Sequence, residues 1–110
     1  MNRAVAGQPT EGAMAKGYWI TVYHAVINPA RLARYTADAT PALEAAGGRI
    51  LARGIAARTL EGAADQRTVV IEFESVQHAV AAYESPRYQA ALQGLKGAVE
   101  REVRIVEGVG

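Results

Sequence analysis

Cysteine is missing from all 110 residues, which removes disulfide staples, thiolate nucleophiles and sulfur-ligated metals at once. A chain without thiols suits a reducing cytoplasm. Long hydrophobic runs are missing too. No stretch approaches the roughly 18 apolar residues of a membrane span, and the N-terminus has no basic segment leading into an apolar one. Neither sign of charge dominates: twelve basic residues face eleven acidic ones, a formal net charge of +1, and they are interspersed. Nothing resembles a basic stripe that tracks phosphates, so nucleic acid is not an expected partner. Histidine occurs only twice, at widely separated positions, so neither a metal centre nor another cofactor is expected. What remains is a soluble cytoplasmic protein, with no membrane partner.

Half of the residues are hydrophobic, so a packed core is within reach of this composition, and the length is that of one domain. Residues 1–13, rich in Gly, Pro, Gln and Thr without periodicity, are expected to form a flexible tail. Residues 14–110 are expected to form the single domain. Tyr18 to Ile27 is rich in aromatic and β-branched residues, as strands prefer. Tyr18, Ile20, Val22, His24 and Val26 alternate with Trp19, Thr21, Tyr23, Ala25 and Ile27. Both faces are largely apolar, so both must be covered.

Asn28-Pro29 is a helix start, with a capping side chain followed by proline at the first helical position. Leu32, Tyr35, Ala39, Leu43 and Ala46 then recur at helical spacing, with Pro41 predicting a kink or a break into two pieces. Gly47-Gly48 ends the helix. Arg49 to Arg58 and Thr68 to Phe73 read as the arms of a hairpin with its loop over Leu60 to Gln66. Ser75 caps a short helix carrying Val76, Ala79, Val80 and Tyr83. Ser85-Pro86 opens another, carrying Tyr88, Ala91, Leu92, Leu95 and Val99, and Glu102 to Glu107 forms the last strand.

The order β-α-β-β-α-β leads most simply to an α+β, ferredoxin-like fold: four antiparallel strands with the helices on one face. The other face is too apolar to leave wet. Two sheets paired across a two-fold axis would cover it, and a homodimer follows.

Met14-Ala15-Lys16-Gly17-Tyr18-Trp19-Ile20, the Tyr35…Pro41…Gly47-Gly48 helix, Ala52-Arg53-Gly54, Val70-Ile71-Glu72-Phe73 and Tyr83-Glu84-Ser85-Pro86-Arg87-Tyr88-Gln89 together resemble the domain-of-unknown-function family DUF1330, over about residues 14–109. The resemblance implies a ferredoxin-like protomer of the dimeric α/β-barrel superfamily, with the barrel built by two chains. That superfamily includes cofactor-independent monooxygenases, haem-degrading enzymes, lactone isomerases and members without known activity. No catalytic residue is carried over from it.

Among residues that can do chemistry, His24 is the acid–base candidate, because imidazole titrates near neutral pH. Its alternative is a hydrogen-bonded histidine of the core or dimer interface. His78 faces away from its helix's apolar stripe and reads as solvated. Arg53 and Glu72 fall within the adjoining hairpin strands, either as an ion pair holding the sheet, the favoured alternative, or as pocket residues that bind a ligand. Tyr23, Tyr83 and Tyr88 could line a pocket for an aromatic ligand, although Tyr83 and Tyr88, like Tyr35, lie on helix stripes that usually face a core. Ser75 and Ser85 are explained as caps, so no serine triad is evident. Gly47-Gly48 precedes a strand and is not a phosphate loop.

Two functions fit. One is a homodimeric small-molecule-binding protein working by monooxygenase- or isomerase-like, cofactor-independent chemistry on a small aromatic or carbonyl metabolite. The other is a non-catalytic dimeric module for binding or assembly. A pocket holding His24 with a convergent Arg or Tyr would favour the first, and a filled core with His24 satisfied by backbone the second.

Overall fold

The computed structural model describes residues 15–64 and 66–110; the expected tail over 1–13 and Met14 lie outside the described residues. Seven elements follow one another: β1 (Gly17–Val26), α1 (Pro29–Ala45), β2 (Arg49–Ile55), β3 (Arg67–Phe73), α2 (Val76–Glu84), α3 (Pro86–Gln93) and β4 (Val99–Glu107). The strands form one sheet in the order β2-β3-β1-β4, every neighbouring pair antiparallel. This is the ferredoxin-like arrangement that the sequence order implies. The second crossover is divided into α2 and α3 at Ser85-Pro86.

Local chemistry sets the helix ends. The Asn28 side chain accepts from the Arg31 amide at 3.1 Å, Ser75 accepts from the His78 amide at 3.1 Å, and Ser85 accepts from the Tyr88 amide at 3.3 Å. Each satisfies an amide that a helix's first turn leaves without a partner. Pro41 neither breaks α1 nor ends it; the helix runs unbroken from Pro29 to Ala45. Pro41 and Ala37 are both exposed, so water can serve the Ala37 carbonyl that the missing amide leaves unpaired.

Two strand boundaries differ by three residues from the sequence expectation. β2 stops at Ile55 rather than Arg58, and β4 begins at Val99 rather than Glu102. Gly97 adopts φ 77°, a left-handed conformation that ends the helical turn after α3. Val99 is thereby released into the sheet instead of extending α3. The Ala98 carbonyl then accepts from the Ile27 and Asn28 amides, at 2.8 and 3.0 Å, and pins the start of β4 to the end of β1.

The helices cover one face of the sheet. Trp19 and Tyr23 of β1, Ile71 and Phe73 of β3, and partly buried Val103 and Ile105 of β4 pack there against Leu32, Tyr35, Ala39 and Leu43 of α1 and Tyr88 of α3. Trp19 is the centre of an aromatic cluster, with ring centroids 5.2 Å from Tyr88, 5.6 Å from Tyr83 and 6.3 Å from Phe73. Gly17 lets the edge of this core close: a Cβ there would lie 2.5 Å from the Ser75 carbonyl oxygen at the start of α2. The opposite face is covered by no described element. Tyr18, Ile20 and Val22 lie on it beside Val70, Glu72, Glu102 and Arg104 by their register.

Candidate functional site

Between the sheet and α1 lies a cleft of about 390 Å³, its open mouth included. Its interior is narrow, with about 40 Å³ in which the centre of a water molecule fits, room for about three waters by ordinary cavity standards. Alternation along β1 turns Thr21 and Tyr23 into it, and helical spacing on α1 adds Tyr35, Ala39, Thr40 and Leu43. Apolar walls come from Leu43, Ile50, Val69 and Ile71, and the polar lining includes Arg53, Arg67 and Arg101. No aspartate, glutamate or histidine is among the fourteen lining residues.

Arg101 organises the deep end. It stands directly opposite Tyr23 in the β1–β4 ladder, and its guanidinium donates to three phenol oxygens: Tyr23 at 3.2 Å, Tyr35 at 3.3 Å and Tyr88 at 3.1 Å. The same group lies 5.1 Å from the centre of the Tyr35 ring and 5.7 Å from that of Tyr23, within the range of cation–π attraction. Its hydrogen-bond partners include no carboxylate. Tyrosines from β1, α1 and α3 thus converge on one cation of β4.

The protons of these phenols can be counted. Tyr35 and Tyr88 hydroxyls lie 2.7 Å apart, so one donates to the other. Tyr88 is fully buried and does not line the cleft, and with no other acceptor among the described residues the arrangement that satisfies its proton sends it to Tyr35. That leaves the Tyr35 and Tyr23 protons free, both at the cleft wall. Burial pushes both phenols above the ordinary tyrosine range, against the opposing pull of Arg101. They are therefore neutral donors at physiological pH and weak candidates for a base.

The other two arginines also line the cleft. Arg53 donates to the Thr40 hydroxyl at 3.1 Å. Arg67 begins β3, and its Nε is buried with no hydrogen-bond partner among the described residues, an arrangement that costs free energy unless something answers it.

Tyr23 and Arg53, singled out in the sequence, line this cleft. Tyr88 supplies the hub behind it, and Tyr83 packs in the aromatic cluster 5.3 Å from Tyr88. His24 and Glu72 are on the other face of the sheet. His24 Nε2 lies 2.5 Å from a Glu102 carboxylate oxygen and its Nδ1 3.3 Å from the Gln66 side chain, while Glu102 also accepts from Arg104. Glu72 accepts from Tyr18 at 3.0 Å and Arg49 at 2.7 Å. The favoured Arg53–Glu72 ion pair does not form, because the register puts Arg53 opposite Val69 and Arg49 opposite Glu72. His78 is exposed, as expected, with Nδ1 2.6 Å from the Ser75 hydroxyl.

Three of the charged or phenolic residues of the cleft were not singled out from the sequence: Arg67, Arg101 and, as a site residue, Tyr35. One signal for Arg101 was present. Extending the last strand backwards from Val103 and Ile105 places Arg101 on the same inward row, where a charge is out of place. Among the described residues no three His, Asp or Glu side chains gather to hold a metal.

A ferredoxin-like α+β domain with a donor-lined cleft between sheet and helix is the class that fold and site define. The chain belongs to the DUF1330 family, a domain of unknown function, whose family model matches residues 16–109. Solved structures share the fold at low identity. RPA0582 of Rhodopseudomonas palustris, a protein of unknown function, is 18% identical with a TM-score of 0.70, over 97% of this chain and 93% of that one. SnoaB of Streptomyces nogalater, a cofactor-independent oxygenase, is 10% identical with a TM-score of 0.62, over 84% and 91%. A NIPSNAP family protein of unknown function from Agrobacterium tumefaciens is 16% identical with a TM-score of 0.57, over 86% and 88%. No curated protein matches the sequence significantly.

Proposed function

We propose that this chain is a cytoplasmic, homodimeric small-molecule-binding protein whose ligand site is the cleft between the sheet and α1. One observation carries this: three guanidinium groups and two unclaimed phenol protons meet a single cleft whose described lining includes no carboxylate to answer them. Arg53 is exposed, but Arg101 is partly buried with only phenol oxygens as its described partners and Arg67 has a buried Nε, and taking a charge out of water without a counter-charge costs free energy. Such an arrangement belongs to a binding site that a ligand completes.

The likeness to SnoaB supports extending this to cofactor-independent chemistry on a small aromatic or carbonyl metabolite. In that role the phenols and arginines would orient the substrate and stabilise negative charge developing on its oxygen. His24 has its place on the uncovered sheet face with Glu102 and Arg104 and enters as a residue of chain pairing. The non-catalytic alternative draws on the same facts: among the described residues no histidine or carboxylate lines the cleft to move a proton.

The site is tested by thermal-shift screening of aromatic and carbonyl compounds against the wild type and Thr40→Trp, which places an indole at the cleft mouth. Compounds that raise the wild-type melting temperature should lose that effect in the variant, while its dimer mass stays unchanged. Equal shifts in both proteins would place binding elsewhere.

A further inference from the structure

The sheet register aligns the charges of the cleft. Tyr23 of β1 stands opposite Arg101 of β4. On its other side is β3, where Thr68 faces Val22, so Arg67 is the next position and flanks Tyr23. Arg67 lowers the Tyr23 phenol in opposition to burial, which places its charge within range of that ring. Two guanidiniums therefore bracket one neutral phenol, and Arg53, opposite Val69, stands diagonally at the mouth. Like charges this close repel one another.

The donor and acceptor census is one-sided. The cleft offers guanidinium N–H groups and the two free phenol protons, and the Thr21 oxygen already accepts from Trp19 at 2.9 Å. The acceptors left are hydroxyl oxygens. A ligand whose head is itself a donor would compete with these cations for the same few oxygens, whereas one whose head is an anionic acceptor would satisfy several donors together. The remaining walls, Ala39, Leu43, Ile50, Val69 and Ile71, are apolar. The narrow interior holds only about 40 Å³ for a water-sized centre, so the charged head must be small.

We propose that the cleft selects a small monocarboxylate with an apolar, planar body, its carboxylate taken by Arg67 Nε and the Tyr23 and Tyr35 hydroxyls, and its body laid along the Ala39–Leu43 side of α1. Arg53 closes over the bound molecule from the mouth. Arg101 acts as a positioning residue, holding both phenols so that their protons point into the cleft. This rests on the cleft being the ligand site and specifies what it takes.

Titration calorimetry on the full-length dimer, with benzoate, its neutral isostere benzamide and inorganic phosphate as probes, tests it. Benzoate should bind at least about tenfold more tightly than benzamide, the scale of one charge-assisted hydrogen bond. Arg67→Met should erase that preference, and Arg53→Met, at an exposed position, should reduce it even if Arg67→Met does not fold. Benzamide binding as tightly as benzoate would overturn the carboxylate assignment and leave the cleft as the site. Phosphate binding as tightly as benzoate would overturn the apolar body. No binding of any probe up to millimolar concentration would overturn both the assignment and the site.

Discussion

Tyr35 shows how one hydroxyl can carry several roles. It sits on the apolar stripe of α1, receives the Tyr88 proton and an Arg101 hydrogen bond, and keeps its own proton for the cleft. Tyr35→Phe should cost about 1–3 kcal/mol, the worth of hydrogen bonds to a charged group, read as a lower urea midpoint at unchanged m. The pH dependence has a definite sign. The folded-state values of Tyr23 and Tyr35 are raised above the usual 10.0, so their contribution is complete below about pH 10 and is lost as pH rises from there toward the folded values. Urea melts between pH 8 and 11 should show stability falling at the alkaline end, less steeply in Tyr35→Phe than in the wild type. Equal slopes would mean that Tyr35 ionises freely in the folded chain. Tyr35 was visible in the sequence as a stripe residue and Tyr88 as a stripe residue that could line a pocket, because helical spacing reports which way a ring points but not that two hydroxyls from different helices meet over an arginine.

At the scale of the elements, turns and caps were legible and faces were not. Asn28-Pro29, Ser75, Ser85-Pro86 and Gly47-Gly48 each act through neighbours a few residues away, so their chemistry is written locally. Arg53 depends on something subtler. The β2–β3 register shifts between Ile50 and Ala52, a bulge that leaves Leu51 as the extra residue. Without it, the pairing that joins Arg49 to Glu72 would bring Arg53 opposite Thr68, on the uncovered face. A single added residue moves Arg53 into the cleft and away from Glu72. Two glycines test how the elements join. Gly17→Ala drives a methyl against the Ser75 carbonyl and should cost about 1–3 kcal/mol or more, as overpacking does. Gly97→Ala meets no neighbour but must hold φ 77°, at about 1–2 kcal/mol. Thermal melts should rank Gly17→Ala as the more damaging; the reverse order would contradict the close packing of β1 on the start of α2.

At the scale of the whole molecule, the described residues leave an apolar strip uncovered, with Ile20, Val22 and Val70 partly buried and Val106 48% exposed. The ion pairs Arg49–Glu72 and His24–Glu102, with Arg104 beside the latter, lie on the same face. Light scattering should report a mass of about 23 kDa, twice that of the 11.7 kDa chain, and Ile20→Asp should shift it toward the monomer; a wild-type monomer at micromolar concentration would remove the pairing proposal. The β-α-β-β-α-β order made the topology legible at this scale, while the position of the cleft depended on strand register and could not be read from it. The cleft is tested most directly by amide chemical-shift mapping of the labelled protein titrated with benzoate. Shifts concentrated on Tyr23, Tyr35, Thr40, Arg53, Arg67 and Arg101 are predicted; shifts confined to Tyr18, Ile20, His24 and Glu102 on the opposite face would contradict the account.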